Sequence, residues 1–309
     1  MRALSEKFMQ DLLREDGMLH PVLERVRKDQ TLMLAIRENY VNIYYRGGNI
    51  LRITEKMYGS YKAEFNDEYD KCDYGLPDSP SLIKAREDAE KWIISFPYRK
   101  EVMDEYFSTH EKTEREFQQV IARVNNQSVI SNESEYFITD IEFADSALKA
   151  RFDMTSICWP ASNRKTGNHC RAALIEMKYG DAAINGTSGL IKHLEDMAVL
   201  ISDKDRYARL LSMMESQFNQ LDQLGLLKFN KGTIEAKVKL DPEVKPEVIF
   251  ILANHNPRGS KLKDILGDIK MEKFEFSTLF DLRFFVASFS GYGMHVRNML
   301  SLSEFRKLL

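Results

Sequence analysis

Apolar positions along the chain change their period several times. Between residues 3 and 38, Leu12, Leu13, Leu23, Val26, Leu32, Leu34 and Ile36 recur as in helices, and Pro21 opens a second helix or interrupts the first. From residue 40 to 53 the period falls to two and turns at Gly47-Gly48, a hairpin signal. A third strand is expected over 58–65. Residues 66–80, with Gly75, Pro77 and Pro80, read as a loop, and 81–124 return to helical spacing.

From residue 135 the pattern switches again. Residues 135–144, 149–159 and 171–180 read as three strands, and 188–201 and 204–224 as helices, the second ending at Gly225. Two later apolar runs, 246–253 and 281–288, read as strands. Strands, then helices, then strands predict an α/β class with a mixed central sheet flanked by helices. Residues 111–309 are expected to form that core, and 1–110 an N-terminal helical and β-hairpin extension.

Composition narrows the function. With 44 Lys plus Arg against 47 Asp plus Glu, the net charge is −3, which argues against coating nucleic acid through bulk charge. A charged fraction of 29% beside a hydrophobic fraction of 43% describes a globular chain with a core. Three cysteines, Cys72, Cys158 and Cys170, are few and odd in number, and point to inert thiols in a reducing compartment. The first residues mix charges without an apolar stretch, so no signal peptide is expected. No run approaches the ~20 apolar residues of a membrane helix. A cytoplasmic location without membrane association follows as the expectation. No Walker A, dinucleotide fingerprint, Gly-x-Ser-x-Gly elbow or His-Glu-x-x-His is present.

Two strands carry charges that a buried strand does not need. On 171–180, Ala172, Leu174, Glu176 and Lys178 share one face, and Ala173, Ile175, Met177 and Tyr179 the other. Asp153 sits between Phe152 and Met154 on the preceding strand. Antiparallel pairing of the two would bring Asp153 to Glu176 and Lys178. One reading is a structural ion pair at a sheet end. The other is a divalent metal site with a lysine beside it, the parts that phosphodiester hydrolysis requires.

Asp153 on one strand, Glu176-Met177-Lys178 on the next, and a helix after them resemble the PD-(D/E)XK nuclease superfamily, the restriction-endonuclease-like fold. The resemblance spans roughly residues 112–200. It departs at Phe152, where the motif has proline, and in the long interval from Asp153 to Glu176. The resemblance implies Asp153 and Glu176 as ligands of Mg²⁺, with Mn²⁺ as a substitute, and the Met177 carbonyl as a further ligand. It implies Lys178 as the residue that orients the attacking water. Glu116, on a helix before the first core strand, would support the metal or its water shell, with Glu114 as the alternative. The activity implied is a metal-dependent nuclease, on DNA ahead of RNA, with a homodimer as an allowed assembly. The alternative is a non-catalytic nucleic-acid or protein interaction module on the same fold.

Other polar residues carry weaker signals. Asp140 and Glu142 alternate with Phe137, Ile141 and Phe143 and read as a solvated strand face, with a supporting role near the metal as the alternative. His193 falls on the apolar stripe of Leu190, Leu194, Met197 and Ile201; it is expected to pack against the sheet, with substrate binding, by itself or through Lys192, as the alternative. Thr187 or Ser188 is the expected cap of that helix. Arg164, Lys165, Arg171, Arg258, Lys261 and Lys263 each read alone as ordinary surface charge; together they would form a phosphate-tracking groove if they flank the carboxylates.

Overall fold

The computed structural model describes residues 1–71, 75–127, 134–164, 169–180, 189–229, 237–254, 260–287 and 291–309. The chain is mixed α/β, with one antiparallel sheet, one mixed sheet and helices. It divides into two compact units, Met1–Gln119 with Gln220–Leu227, and Val120–Asn219 with Lys228–Leu309.

The first unit begins with α1 (Glu6–Leu13), where the Ser5 hydroxyl accepts the Phe8 N–H at 3.1 Å as an N-cap. Phe8, Met9 and Leu12 form its buried stripe. Pro21 stands in the first turn of α2 (His20–Lys28), where a missing N–H is tolerated. The helical reading of 3–38 overran at this point. Asp29 stops α2, its carboxylate taking both the N–H and the hydroxyl of Thr31, and Leu32–Ile36 is strand β1, buried at every position. A short run of Leu, Met, Ala and Ile lacks a distinguishing period when both faces are covered.

Strands β2 (Tyr40–Tyr45) and β3 (Gly48–Glu55) form the expected hairpin, with its turn one residue earlier than read, at Arg46-Gly47. Both turn residues have positive φ, 49° and 73°, the type I′ geometry that matches strand twist. β4 (Tyr61–Glu64) and the short β5 (Leu82–Ile83) complete an antiparallel sheet in the order β1-β2-β3-β4-β5. The expected helical stretch from 81 therefore opens with a strand, then continues as α3 (Arg86–Thr109) and α4 (Thr113–Gln127).

The second unit holds a sheet in the order β10-β9-β8-β7-β6. β6 (Tyr136–Asp145), β7 (Ala150–Cys158) and β8 (Arg171–Tyr179) pair antiparallel. α5 (Ala161–Arg164) follows β7. After β8 come α6 (Leu190–Ser202) and α7 (Lys204–Gln223), then β9 (Glu247–Ala253), which lies parallel between β8 and β10 (Asp281–Val286). β9 is buried at all seven positions, and after Glu247 it is the continuous apolar run of a strand covered on both faces. α8 (Ser260–Gly267), α9 (Glu272–Glu275) and α10 (Leu302–Arg306) complete the unit, and Ser301 and Glu304 form a capping box on α10. No described helix is long and apolar enough to cross a membrane.

A candidate active site at the end of the mixed sheet

Register sets the site. The β7–β8 ladder pairs Met154 with Ile175, Thr155 with Leu174 and Ile157 with Ala172. Residues directly opposite on neighbouring strands point to the same side. Asp153, one step past the last pair, therefore stands alongside Glu176 on the face that carries Leu174 and Lys178. There the Asp153 carboxylate replaces a backbone acceptor, and Oδ2 takes the Met177 N–H at 2.8 Å.

Glu176 is 2% exposed and Lys178 5%. Lys178 Nζ donates to Glu176 Oε2 at 3.5 Å and to His193 Nε2 at 3.2 Å. An ammonium has no lone pair to offer, so Nε2 accepts and the imidazole proton sits on Nδ1. That nitrogen faces Glu176 Oε1 at 3.5 Å. Glu176, Lys178 and His193 thus close a triangle. β8 supplies two corners through its alternation, and the first turn of α6 supplies the third. Burial pushes the Glu176 carboxyl well above its ordinary range, the Asp153 charge pushes it the same way, and Lys178 opposes both.

Asp140 departs from its expected place. It is fully buried, and its Oδ2 accepts from Gln217 Nε2 of α7 at 3.0 Å. A register irregularity between Ile138 and Asp140 sets Asp140 opposite Thr155, on the same face as Asp153 and Glu176. The solvated-face reading failed because alternation within β6 does not reveal that α7 packs over that face. Glu142, with φ 51°, leaves regular strand geometry and is half-buried. Asp140 is the acidic neighbour that sequence reasoning undervalued, and a Gln on the facing helix was its only available signal.

Glu116 belongs to the first unit. Arg46 donates to it from Nε at 3.0 Å and from the guanidinium end at 3.3 Å, and also to Asp104 at 2.8 Å.

Two of the four described members of the basic groove, Arg164 and Arg171, are committed elsewhere, while Lys261 and Lys263 on α8 are exposed. Arg164 is 2% exposed and donates to the carbonyls of Trp159 and Ser134. Arg171, at the opposite end of β8 from Lys178, pairs with Asp281 at 2.7 Å and with Glu247. Buried carbonyls and carboxylates claim these guanidinium groups before any phosphate. Lys165 and Arg258 lie outside the described residues, as do Cys72, Thr187 and Ser188; Gly189 is the N-cap residue of α6.

Among the described residues, no group of three or more His, Cys, Asp and Glu side chains is gathered as a ready metal cage. The donor set nevertheless suits a hard divalent cation. Mg²⁺ takes one or two carboxylates and keeps several waters. Two carboxylates crowded at a buried position, with Glu176 driven towards its protonated form, are stabilised by a cation between them. In comparison with known proteins, no family model, no curated protein and no solved structure matches the chain.

Proposed function

We propose that the second unit is a Mg²⁺-dependent nuclease on a restriction-endonuclease-like core, hydrolysing phosphodiester bonds in DNA ahead of RNA. The observation that carries the reading is the junction of Asp153, Glu176 and Lys178 on one face of two paired, otherwise apolar strands. The order of elements supports it: three antiparallel strands, helices, then a strand parallel to the Glu-x-Lys strand. Buried, free Cys158 and Cys170 suit a reducing, cytoplasmic setting.

Asp153 and Glu176 would hold the cation, which when bound would stabilise charge on the phosphoryl oxygens and lower the pKa of a coordinated water. Lys178 would orient the attacking water. Its ammonium is held by Glu176 and His193 before substrate arrives, so little reorganisation is needed at the reacting step. His193 Nε2 holds the lysine end in place, and Nδ1–H faces the carboxylate. Asp153 is oriented by the Met177 N–H, which leaves its other oxygen for the cation. The attacking water forms a bond to phosphorus as the bond to the leaving oxygen breaks, and the proton it sheds passes to solvent or to the leaving group.

Incubation of the purified chain with supercoiled plasmid, linear duplex and single-stranded DNA, and RNA, in Mg²⁺ or Mn²⁺, tests the proposal. Cleavage that disappears with chelator and in both Asp153→Asn and Lys178→Ala is the expected result. No cleavage of any substrate by the wild type, or equal cleavage by Lys178→Ala, refutes it.

A further inference from the structure

The first unit contains a buried cation that the nuclease reading leaves unused. Arg99, on α3, is 6% exposed. Its guanidinium carbon lies 4.3 Å from the Trp92 ring centroid and 4.7 Å from that of Phe65. Nε donates to the fully buried Ser95 hydroxyl, one turn earlier, at 2.9 Å. Beyond that bond the guanidinium makes no hydrogen bond and no ion pair among the described residues. The residue keeps a small exposed fraction rather than being wholly enclosed.

Arg164 shows how this chain settles a structural arginine. It is similarly buried and also lies against aromatic rings, Phe137 and Phe229, but two backbone carbonyls accept from it. Among the described residues, Arg99 has the rings without the carbonyl acceptors. Among the described residues Asp70 is the acid whose charge reaches it, and burial lowers the Arg99 pKa to about 10. Burying a charge without a close counter-ion is unfavourable, and such charges gather where a ligand supplies the opposite sign. Held by two rings and Ser95, the guanidinium presents a rigid two-pronged N–H edge, the geometry that meets a carboxylate or phosphate with two parallel hydrogen bonds.

We infer that Arg99 is the anchor of an oxyanion-binding site in the first unit, taking the phosphate or carboxylate group of a small ligand against Trp92. The site stands independently of the nuclease proposal, because none of its residues belongs to the second unit.

Trp92 supplies the readout, since the chain has two tryptophans and Trp159→Phe leaves one. In that background, inorganic phosphate and sodium acetate are titrated at ionic strength held constant with chloride. A saturable change in Trp92 fluorescence is expected with at least one anion, together with a rise in Tm; phosphate alone marks a phosphate ester as the ligand group, and acetate alone a carboxylate. Arg99→Met is expected to abolish the response, and Arg99→Lys, which keeps charge but loses the two-pronged edge, to weaken affinity at least tenfold. No response to either anion, or an undiminished response in Arg99→Met, overturns the inference. If Arg99→Met does not fold, unchanged affinity in Arg99→Lys overturns it.

Discussion

Replacing Lys178 with Met, similar in length and uncharged, tests the electrostatics of the site without requiring activity. In chelated buffer the wild-type ammonium lies 3.5 Å from a Glu176 oxygen, both side chains being nearly inaccessible. At an effective dielectric of about 20, that separation corresponds to about 5 kcal/mol. Releasing the ammonium from a buried position returns part of this, so a net loss of about 2–3 kcal/mol at pH 9 is the working figure. The sign follows from the direction of the Glu176 shift. Its carboxyl is raised in the folded chain, so its contribution is full below the ordinary glutamate value of about 4.3 and is lost as pH rises through the folded value. Without Lys178 the folded value rises further. Urea unfolding from pH 4 to pH 9, with far-ultraviolet circular dichroism as the signal, should give two curves that run parallel at low pH. They should separate once pH passes the wild-type Glu176 titration, the variant continuing to lose stability. Curves that stay parallel to pH 9 would show that Lys178 contributes packing alone. Millimolar Mg²⁺ should narrow the gap if a cation is held between the carboxylates.

Gly47→Ala should destabilise the first unit by at least ~1 kcal/mol in thermal unfolding, because φ is 73° and a Cβ there would lie 2.6 Å from the Arg115 backbone. Phe250→Ala should lower urea stability by about 3–5 kcal/mol, since the ring is fully buried, stacked on Phe284 and opposite Glu176 in the ladder. Burial pushes the Cys158 and Cys170 thiols up to about 12. Iodoacetamide at pH 8 should therefore leave both unlabelled by mass spectrometry until urea is added, and rapid native labelling of either would contradict their burial.

The charged residues in apolar strands were legible because each breaks a pattern that physics otherwise enforces. Glu176 and Lys178 stand out in a run that needs no polar atom, and antiparallel pairing with the strand of Asp153 followed from their order. The hairpin was legible because Gly47 permits a conformation few residues adopt. β1 was not, since five apolar residues fit a buried strand and a buried helix equally well. Asp140 was misread because burial by a distant helix leaves no trace in local alternation. Arg164 and Arg171 were read as surface charge, or as part of a groove if they flanked the carboxylates, because a basic residue displays charge in sequence while the carbonyls and carboxylates that satisfy it become neighbours only on folding. Arg99 gave no signal, for its significance rests on the acceptors that the described residues do not bring to it.

The placement of β9 also governs how the chain reaches its fold. Its two partners are β8 and β10, both parallel to it, and neither can pair through a tight turn. Both long connections must close before either ladder rewards the ordering, and such nonlocal pairing slows folding. Until then Val248–Ala253, six consecutive apolar residues without charge or proline, is exposed as a free segment of the kind that stacks between chains. Refolding yield of the second unit should therefore fall steeply with protein concentration. During synthesis, the 67 residues between β8 and β9 set the delay through which β8 must wait for its partner.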